Sequence, residues 1–391
     1  MTQVRILFPL PIETKIVLFR IIKGRLVSTF FNLNNMIMTD IFPEGSDIKG
    51  LKRVKFGIDP TFPALHLGHL VPLRVVKQLQ EQGKEVTIVL GTFTAQMGDP
   101  SGKDKTRPIL SKEDVEHNAE QILSQVEQIL LPGFKVFRNG DLFNNMTVPE
   151  LMNIVSDFSV QQMANRNSFN DRLENNVPIG VHELIVPILQ GTDSVHLKSE
   201  IEVGGTDQLF NFQVARRLQE INKQKPEVCL MAQIINGTDG RKMSKSLGNC
   251  IFLEDMPLEI FGKCMSVSDE TMENWIPLLT DENKETHPMK RKKKMAMDIV
   301  EQLCGPEMVP KVIEHFENTV QKKEIPKEMP EIEASNVLDA VVAIRKCSNS
   351  QARRLIKDGA VKLDKVKVDE DAELSSGQIM KIGKRSFGKI V

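Results

Sequence analysis

From Arg53 onward, short apolar runs alternate with amphipathic stretches, and this alternation restricts the fold more than any other feature of the chain. The runs are VKFGI (54–58), EVTIVLGTFTA (85–95), FKVFR (134–138) and VCLMAQII (228–235). Between them stand LVPLRVVKQLQEQ (70–82) and KEDVEHNAEQILSQVEQIL (112–130). The second spaces Val115, Ala119, Ile122, Val126 and Ile129 along one helical face, with charge on the other. Strands alternating with helices predict an α/β fold with a parallel, doubly wound sheet. Ligands on such sheets bind beyond the carboxyl ends of the strands. Asp59, Thr94 and Asp99 fall at or just past strand ends, which puts them at that crevice.

Two distant stretches carry the chemistry. FGIDPTFPALHLGH (56–69) runs from a strand through a Pro-rich turn into the start of a helix. His66 and His69, three apart, are predicted to share a helical face, and Gly68 between them leaves room for a close approach to the backbone. A helix N-terminus that follows a strand is a ready anion site. Far downstream, RKMSKSLGN (241–249) offers Lys242 and Lys245 between Gly240 and Gly248. Two imidazoles and two mobile ammonium groups suit a nucleoside triphosphate.

HLGH followed by KMSKS, together with GTFTAQMGDPSGKDKTR (91–107), LQGTDS (189–194) and VGGTDQ (203–208), resembles the bacterial-type tyrosyl-tRNA synthetases, class I enzymes with a C-terminal S4 domain. The likeness runs from about Arg53 to Val391. It implies a Rossmann-like catalytic domain over 51–249, with a helical insertion at about 139–200 that forms a dimer interface. It also implies a helical anticodon-side domain over 250–320. A linker, 321–336, mixes Pro with alternating charge, as in QKKEIPKEMPEIE. A small α+β S4-like RNA-binding domain follows at 337–391.

The activity implied is ATP-dependent tyrosine–tRNA ligation. The tyrosine carboxylate attacks the α-phosphate of ATP and expels pyrophosphate, and a ribose hydroxyl at the 3' end of tRNA(Tyr) then takes the tyrosyl group. Positioning and charge stabilisation dominate such a step. By resemblance, His66, His69, Lys242, Lys245, Lys103 and Arg107 serve the phosphates as catalytic groups. Gly57, Asp59, Thr61, Gly68, Gly205, Asp207, Gln208, Met243, Ser244 and Ser246 line the ATP side. Thr94, Asp99 and Gln190 serve the tyrosine ammonium, and Asp193 accepts from the phenol. Two tyrosine-site positions depart from the best-known pattern, since Lys55 and Val186 stand where many members carry tyrosine. Losing a hydroxyl at Val186 implies weaker amino acid binding, not a new substrate. Arg353, Arg354, Lys357, Lys384 and Arg385 are the RNA-binding candidates. ATP is a substrate and brings Mg2+ with it, with no protein ligand set for the metal.

Charge distribution agrees with an RNA partner. The whole chain has a net charge of −1, yet residues 341–391 hold 12 Lys and Arg against 6 Asp and Glu. The basic run MKRKKKM (289–295) reads as a solvated helix face before it reads as a tRNA contact. Five scattered cysteines with no Cys-x-x-Cys pair indicate neither a zinc site nor a disulfide framework, and fit a reducing cytoplasm. No apolar run is long enough to span a membrane.

Residues 1–37 bear five Lys and Arg and one acid, Glu13, within an apolar stretch. They read in turn as upstream sequence ahead of a start at Met36 or Met38, as an organelle-targeting peptide, which would place the protein in an organelle matrix, or as a structural arm. The extension is drawn to residue 50. The chain contains 19 Phe and no Tyr; an enzyme that supplies tyrosyl-tRNA gains by not needing it for its own synthesis. Tyrosine content across proteins of the same source tests this, and general scarcity there removes the special explanation. Two alternatives stand beside the main reading. One is a synthetase of altered aromatic specificity, such as tryptophanyl. The other is a non-catalytic RNA-binding paralogue.

Overall fold

A computed structural model describes residues 16–22, 25–31, 39–97, 110–164, 167–281, 284–318, 329–368, 371–383 and 386–391. The chain divides into two compact units. The first comprises residues 1–256 and 263–299, the second 257–262 and 300–391.

An eight-stranded sheet forms the centre of the first unit. Its strands are β1 (Ile16–Ile22), β2 (Arg25–Phe31), β3 (Thr39–Phe42), β4 (Arg53–Ile58), β5 (Glu85–Leu90), β6 (Lys135–Arg138), β7 (Ile201–Gly205) and β8 (Val228–Ala232), in the order β1-β2-β3-β8-β7-β4-β5-β6. β8, β7, β4, β5 and β6 run parallel, as the strand–helix alternation predicts. β1, β2 and β3 are antiparallel additions on the β8 side. The sheet therefore reaches past the boundary expected at residue 50, because Thr39 and Asp40 are buried against β8. β1 and β2 pair with each other along their full described length.

From β4 the chain moves outward through β5 to β6, then returns to the other side of β4 with β7 and β8. The topological switch point lies between β4 and β7, and the crevice at their carboxyl ends is the place such a sheet reserves for a ligand. Both faces of the parallel core are covered: Val54, Phe56 and Ile58 of β4 are buried, as are Ile88, Val89 and Leu90 of β5. The Leu67–Glu81 helix packs there through Leu67, Leu70, Val71, Leu73, Val76 and Leu79, all at most 1% exposed. The Lys112–Ile129 helix buries Val115, Ala119, Ile122 and Val126 as spaced, while Ile129 is half-buried. Residues 139–200 are helical throughout their long segments, ending in the Val181–Leu197 helix, whose Ile188 packs with Val214 and Leu218 of the Leu209–Ile221 helix.

Beyond residue 250 the organisation differs from the expected helical domain. The Asp269–Leu279 helix and the Pro288–Cys304 helix up to Ile299 fall in the same unit as the sheet. Trp275 is the reason on that side. It is fully buried, and its indole donates to the carbonyl of Asn236.

In the second unit, residues 331–391 make an α+β module. Its strands are β9 (Glu331–Ile332), β10 (Val361–Leu363), β11 (Val366–Val368), β12 (Ile379–Ile382) and β13 (Ser386–Ile390), ordered β11-β10-β12-β13-β9. Two helices, Val337–Arg345 and Asn349–Lys357, close one face over Val341, Ala352, Ile356, Val361, Met380 and Ile390. The module starts before the boundary expected at 337, since β9 pairs with β13.

Candidate active site

The strand–turn–helix stretch ends in a capping box. His66 is the N-cap of the Leu67–Glu81 helix and lies outside it, in extended backbone. Its Nδ1 accepts from the Gly68 N–H at 3.1 Å, and its own N–H donates to His69 Nδ1 at 3.1 Å. The expected shared helical face is thus replaced by a reciprocal cap that puts the rings 4.0 Å apart. With both Nδ1 atoms used as acceptors, each neutral ring carries its proton on Nε2. Burial and the nearby Lys245 ammonium lower His66 to about 4. Burial, then His66 and Lys245, take His69 well below its usual value. Two uncharged N–H donors result. Gly68 serves this cap, because a Cβ there would fall 2.8 Å from His66 Cε1.

His66, His69, Lys242 and Lys245 line one cavity of about 880 Å³ at the ends of β4 and β7. Gly57, Asp59, Thr61, Gly68, Gly205, Asp207, Gln208, Met243 and Ser244 line it too, as do Lys55, Thr94, Gln190 and Asp193. Both lysines rest on partners within the chain. Lys242 pairs with Asp207 at 3.1 Å, and Lys245 lies 4.3 Å from the centre of the Phe62 ring.

At the deeper end a polar chain crosses the floor. Thr94 donates to Asp59 at 2.7 Å, and the Asn139 amide donates to Thr94 Oγ1 and to Asp193 Oδ2, each at 3.3 Å. Asp193 is 2% exposed, and its Oδ1 has no hydrogen-bond partner. Burial raises its carboxyl to about 7, against the pull of Lys55 and Asn139. Gly91 makes the floor possible, since a Cβ there would lie 1.9 Å from Asp59 Oδ1.

The cavity thus has donors for phosphate at one end and a waiting acceptor at the other. A family model described as "tRNA synthetases class I (W and Y)" matches residues 49–355. The chain belongs to this class I synthetase family. A tyrosine–tRNA ligase of Thermotoga maritima is 40% identical over 364 residues, covering 88% of this chain and 91% of that protein. One of Aquifex aeolicus is 38% identical over 377 residues, covering 90% and 96%. The fold matches a C-terminally truncated mitochondrial tyrosyl-tRNA synthetase of Aspergillus nidulans, with a TM-score of 0.56 at 19% identity over 68% of this chain and 85% of that one. It also matches an Archaeoglobus fulgidus tyrosyl-tRNA synthetase complexed with L-tyrosine, with a TM-score of 0.54 at 21% identity over 67% and 90%.

Within this synthetase cavity some expectations need correcting. Lys55 spends its ammonium on Gln190 O, Ser194 Oγ and Glu202. Val186 is 1% exposed and is not among the residues lining the cavity; the helix turns it into the packing one turn before Gln190. Thr94 lines the cavity with its hydroxyl donating to Asp59. Asp99, Lys103, Arg107, Lys384, Arg385 and the side chain of Ser246 lie outside the described residues. Asn139 and Glu202 were not singled out from the sequence. Asn139 directly follows β6, so the strand-end rule already pointed to it. Glu202 sits inside a strand of five residues, two of them glycine, that no alternating pattern announces.

Proposed function

We infer that the chain is a tyrosine–tRNA ligase that forms tyrosyl-adenylate from tyrosine and MgATP and then charges tRNA(Tyr). The observation that carries this reading is the buried, unpartnered Asp193 Oδ1 in the same cavity as the His66–His69 pair and the two loop lysines. A buried acceptor without a donor is costly. The tyrosine phenol supplies that donor, while phenylalanine leaves the oxygen bare.

In the first step a carboxylate oxygen of tyrosine bonds to the α-phosphorus as the bond to the bridging oxygen breaks, and the electron pair leaves with pyrophosphate. His66 and His69 donate through Nε2 to the phosphate oxygens as charge develops. Lys242 and Lys245 leave Asp207 and Phe62 to hold the departing pyrophosphate, a task that suits flexible point charges. Lys103 and Arg107 assist there. Asp207, released from Lys242, accepts from the ribose hydroxyls, with Gly57, Asp59, Thr61, Gly205, Gln208, Met243, Ser244 and Ser246 around the nucleotide. Gln190, Asp99 and the Asp59–Thr94 pair face the tyrosine ammonium. In the second step the terminal ribose hydroxyl attacks the acyl carbon and AMP leaves.

The tRNA is held by the 331–391 module through Arg353, Arg354 and Lys357, which are exposed on one helix, and through Lys384 and Arg385. Val148, Met152, Val160, Leu173 and Val181 expose apolar surface on the helices of 139–200. We assign this surface to a homodimer interface, and sedimentation as a monomer that Met152→Glu does not change would remove the assignment. Among the described residues no helix is long and apolar enough to cross a membrane. The proposed location is the cytoplasm.

ATP–pyrophosphate exchange with a panel of aromatic amino acids tests the activity. Exchange with tyrosine is expected. Exchange with tryptophan or phenylalanine instead, or with none of the panel, overturns the reading.

A further inference from the structure

Lys55 is the least expected side chain in the cavity wall. It lies on β4 with 2% of its surface exposed, opposite Glu202 in the parallel register of β4 and β7. Its ammonium has three donors and spends them on three acceptors: Gln190 O at 2.9 Å, Ser194 Oγ at 2.7 Å and Glu202 Oε1 at 2.8 Å. Two of these belong to the Val181–Leu197 helix, and Asp193 lies between them in sequence. Ser194 Oγ in turn donates to Glu202 Oε2 at 3.3 Å. Behind this group, Glu227 is fully buried and accepts from Ser199 Oγ, and burial, then Glu202, push its carboxyl well above the usual carboxylate range.

We propose that Lys55 is a positioning and specificity-determining residue of the phenol site, tying the helix that carries Asp193 to the sheet and keeping Asp193 an acceptor. This rests on the tyrosine–tRNA ligase reading. The geometric part is the double tie to the Gln190 carbonyl and the Ser194 hydroxyl, one on each side of Asp193 in sequence. The electrostatic part follows from which charges face Asp193. Lys55 favours its ionised form, while Glu202 and Asp59 oppose it. Lys55 also balances Glu202, with which it pairs across the register of β4 and β7. Without the ammonium, two carboxyl groups face Asp193 with no cation beside them, and the carboxyl keeps its proton. A protonated Asp193 turns from acceptor toward donor, and tyrosine loses its advantage over phenylalanine. A phenolic ring at position 55 would touch the ligand directly; an ammonium there acts through Asp193.

Lys55→Met and Glu202→Gln together test this. In Lys55→Met, the ratio of kcat/KM for tyrosine over phenylalanine in pyrophosphate exchange is expected to fall about tenfold or more, with the KM for ATP little changed. The pH below which tyrosine use declines is expected to move up in Lys55→Met and down in Glu202→Gln, where Lys55 keeps its ties to Gln190 and Ser194. Opposite shifts are the signature, because a loss of packing alone moves both variants the same way. If Lys55→Met does not fold, Glu202→Gln still decides: an unchanged or upward shift overturns the proposal. An unchanged tyrosine preference in a folded Lys55→Met does so as well. Absence of tyrosine-dependent exchange in the unsubstituted protein sinks the ligase reading itself, a separate outcome.

Discussion

A histidine whose Nδ1 is tied to the backbone has only its other nitrogen to offer. That is the condition of both His66 and His69, and it makes their two duties separable. Asparagine caps a helix as well as histidine does but cannot place a ring N–H over the cavity. His66→Asn is therefore expected to keep stability within about 1 kcal/mol by thermal unfolding while lowering kcat for exchange about 10²- to 10³-fold. Asp193 carries a second residue-level prediction. Its folded pKa, about 7, lies above the ordinary 3.8, so the native state holds a proton that the unfolded chain has lost. The stabilisation this gives is complete below the ordinary value and disappears as pH rises through 7. Relative to Asp193→Asn, the unliganded parent should thus lose stability between pH 6 and 8 by roughly 1 kcal/mol. Tyrosine should bind it more tightly over the same interval, measured by thermal shift with and without the amino acid. Such detail was half legible. The motifs brought His66, His69, Lys242 and Lys245 together, but a tie between Lys55 and Glu202 joins positions far apart in sequence, and nothing local in either stretch encodes it.

At the scale of elements, the loop bearing Lys242 and Lys245 rests its ammonium groups on Asp207 and on the Phe62 ring, contacts that the proposed nucleotide would displace. The Phe62 ring under Lys245 is worth about 0.5–1 kcal/mol at a partly exposed site. Phe62→Leu should release that hold and lower the KM for ATP about two- to fivefold, read in exchange kinetics at saturating tyrosine. The basic run in the Pro288–Cys304 helix is employed differently. Lys292 is bonded to Val267 O and Asp269, Arg291 to Glu273, and Lys294 to Asp298. Two of its cations thus tie this helix to the Asp269–Leu279 helix and a third pairs within it, with Lys292 buried. Strand prediction succeeded where apolar runs were bounded by turns, as at β4 and β6. It overran at β5, which stops at Leu90 because Gly91 turns the chain beneath Asp59. It missed β7, where IEVGG lacks both length and alternation, and β3, four residues long beside a segment read as foreign.

Across the whole molecule, the division into two units sets the proposed chemistry apart from the proposed tRNA-holding module. All the described residues that line the cavity lie in the first unit, and the 331–391 module has a core of its own. A chain ending at residue 318 should retain tyrosine-dependent pyrophosphate exchange and lose most tRNA charging; equal loss of both would contradict the division. The cysteines, uninformative about function, fall on either side of the same line. Cys229, Cys250 and Cys264 are buried in the first unit, whereas Cys304 and Cys347, in the second, are partly accessible. Cys229 shares a row across the sheet with Glu202, and burial, then Glu227 and Glu202, hold its thiol far from ionising. The protein therefore carries its own pair of chemical clocks. A thiol reagent should mark the second unit in minutes under native conditions and reach the first only when the sheet opens. Bound tyrosine should slow the second clock and leave the first running.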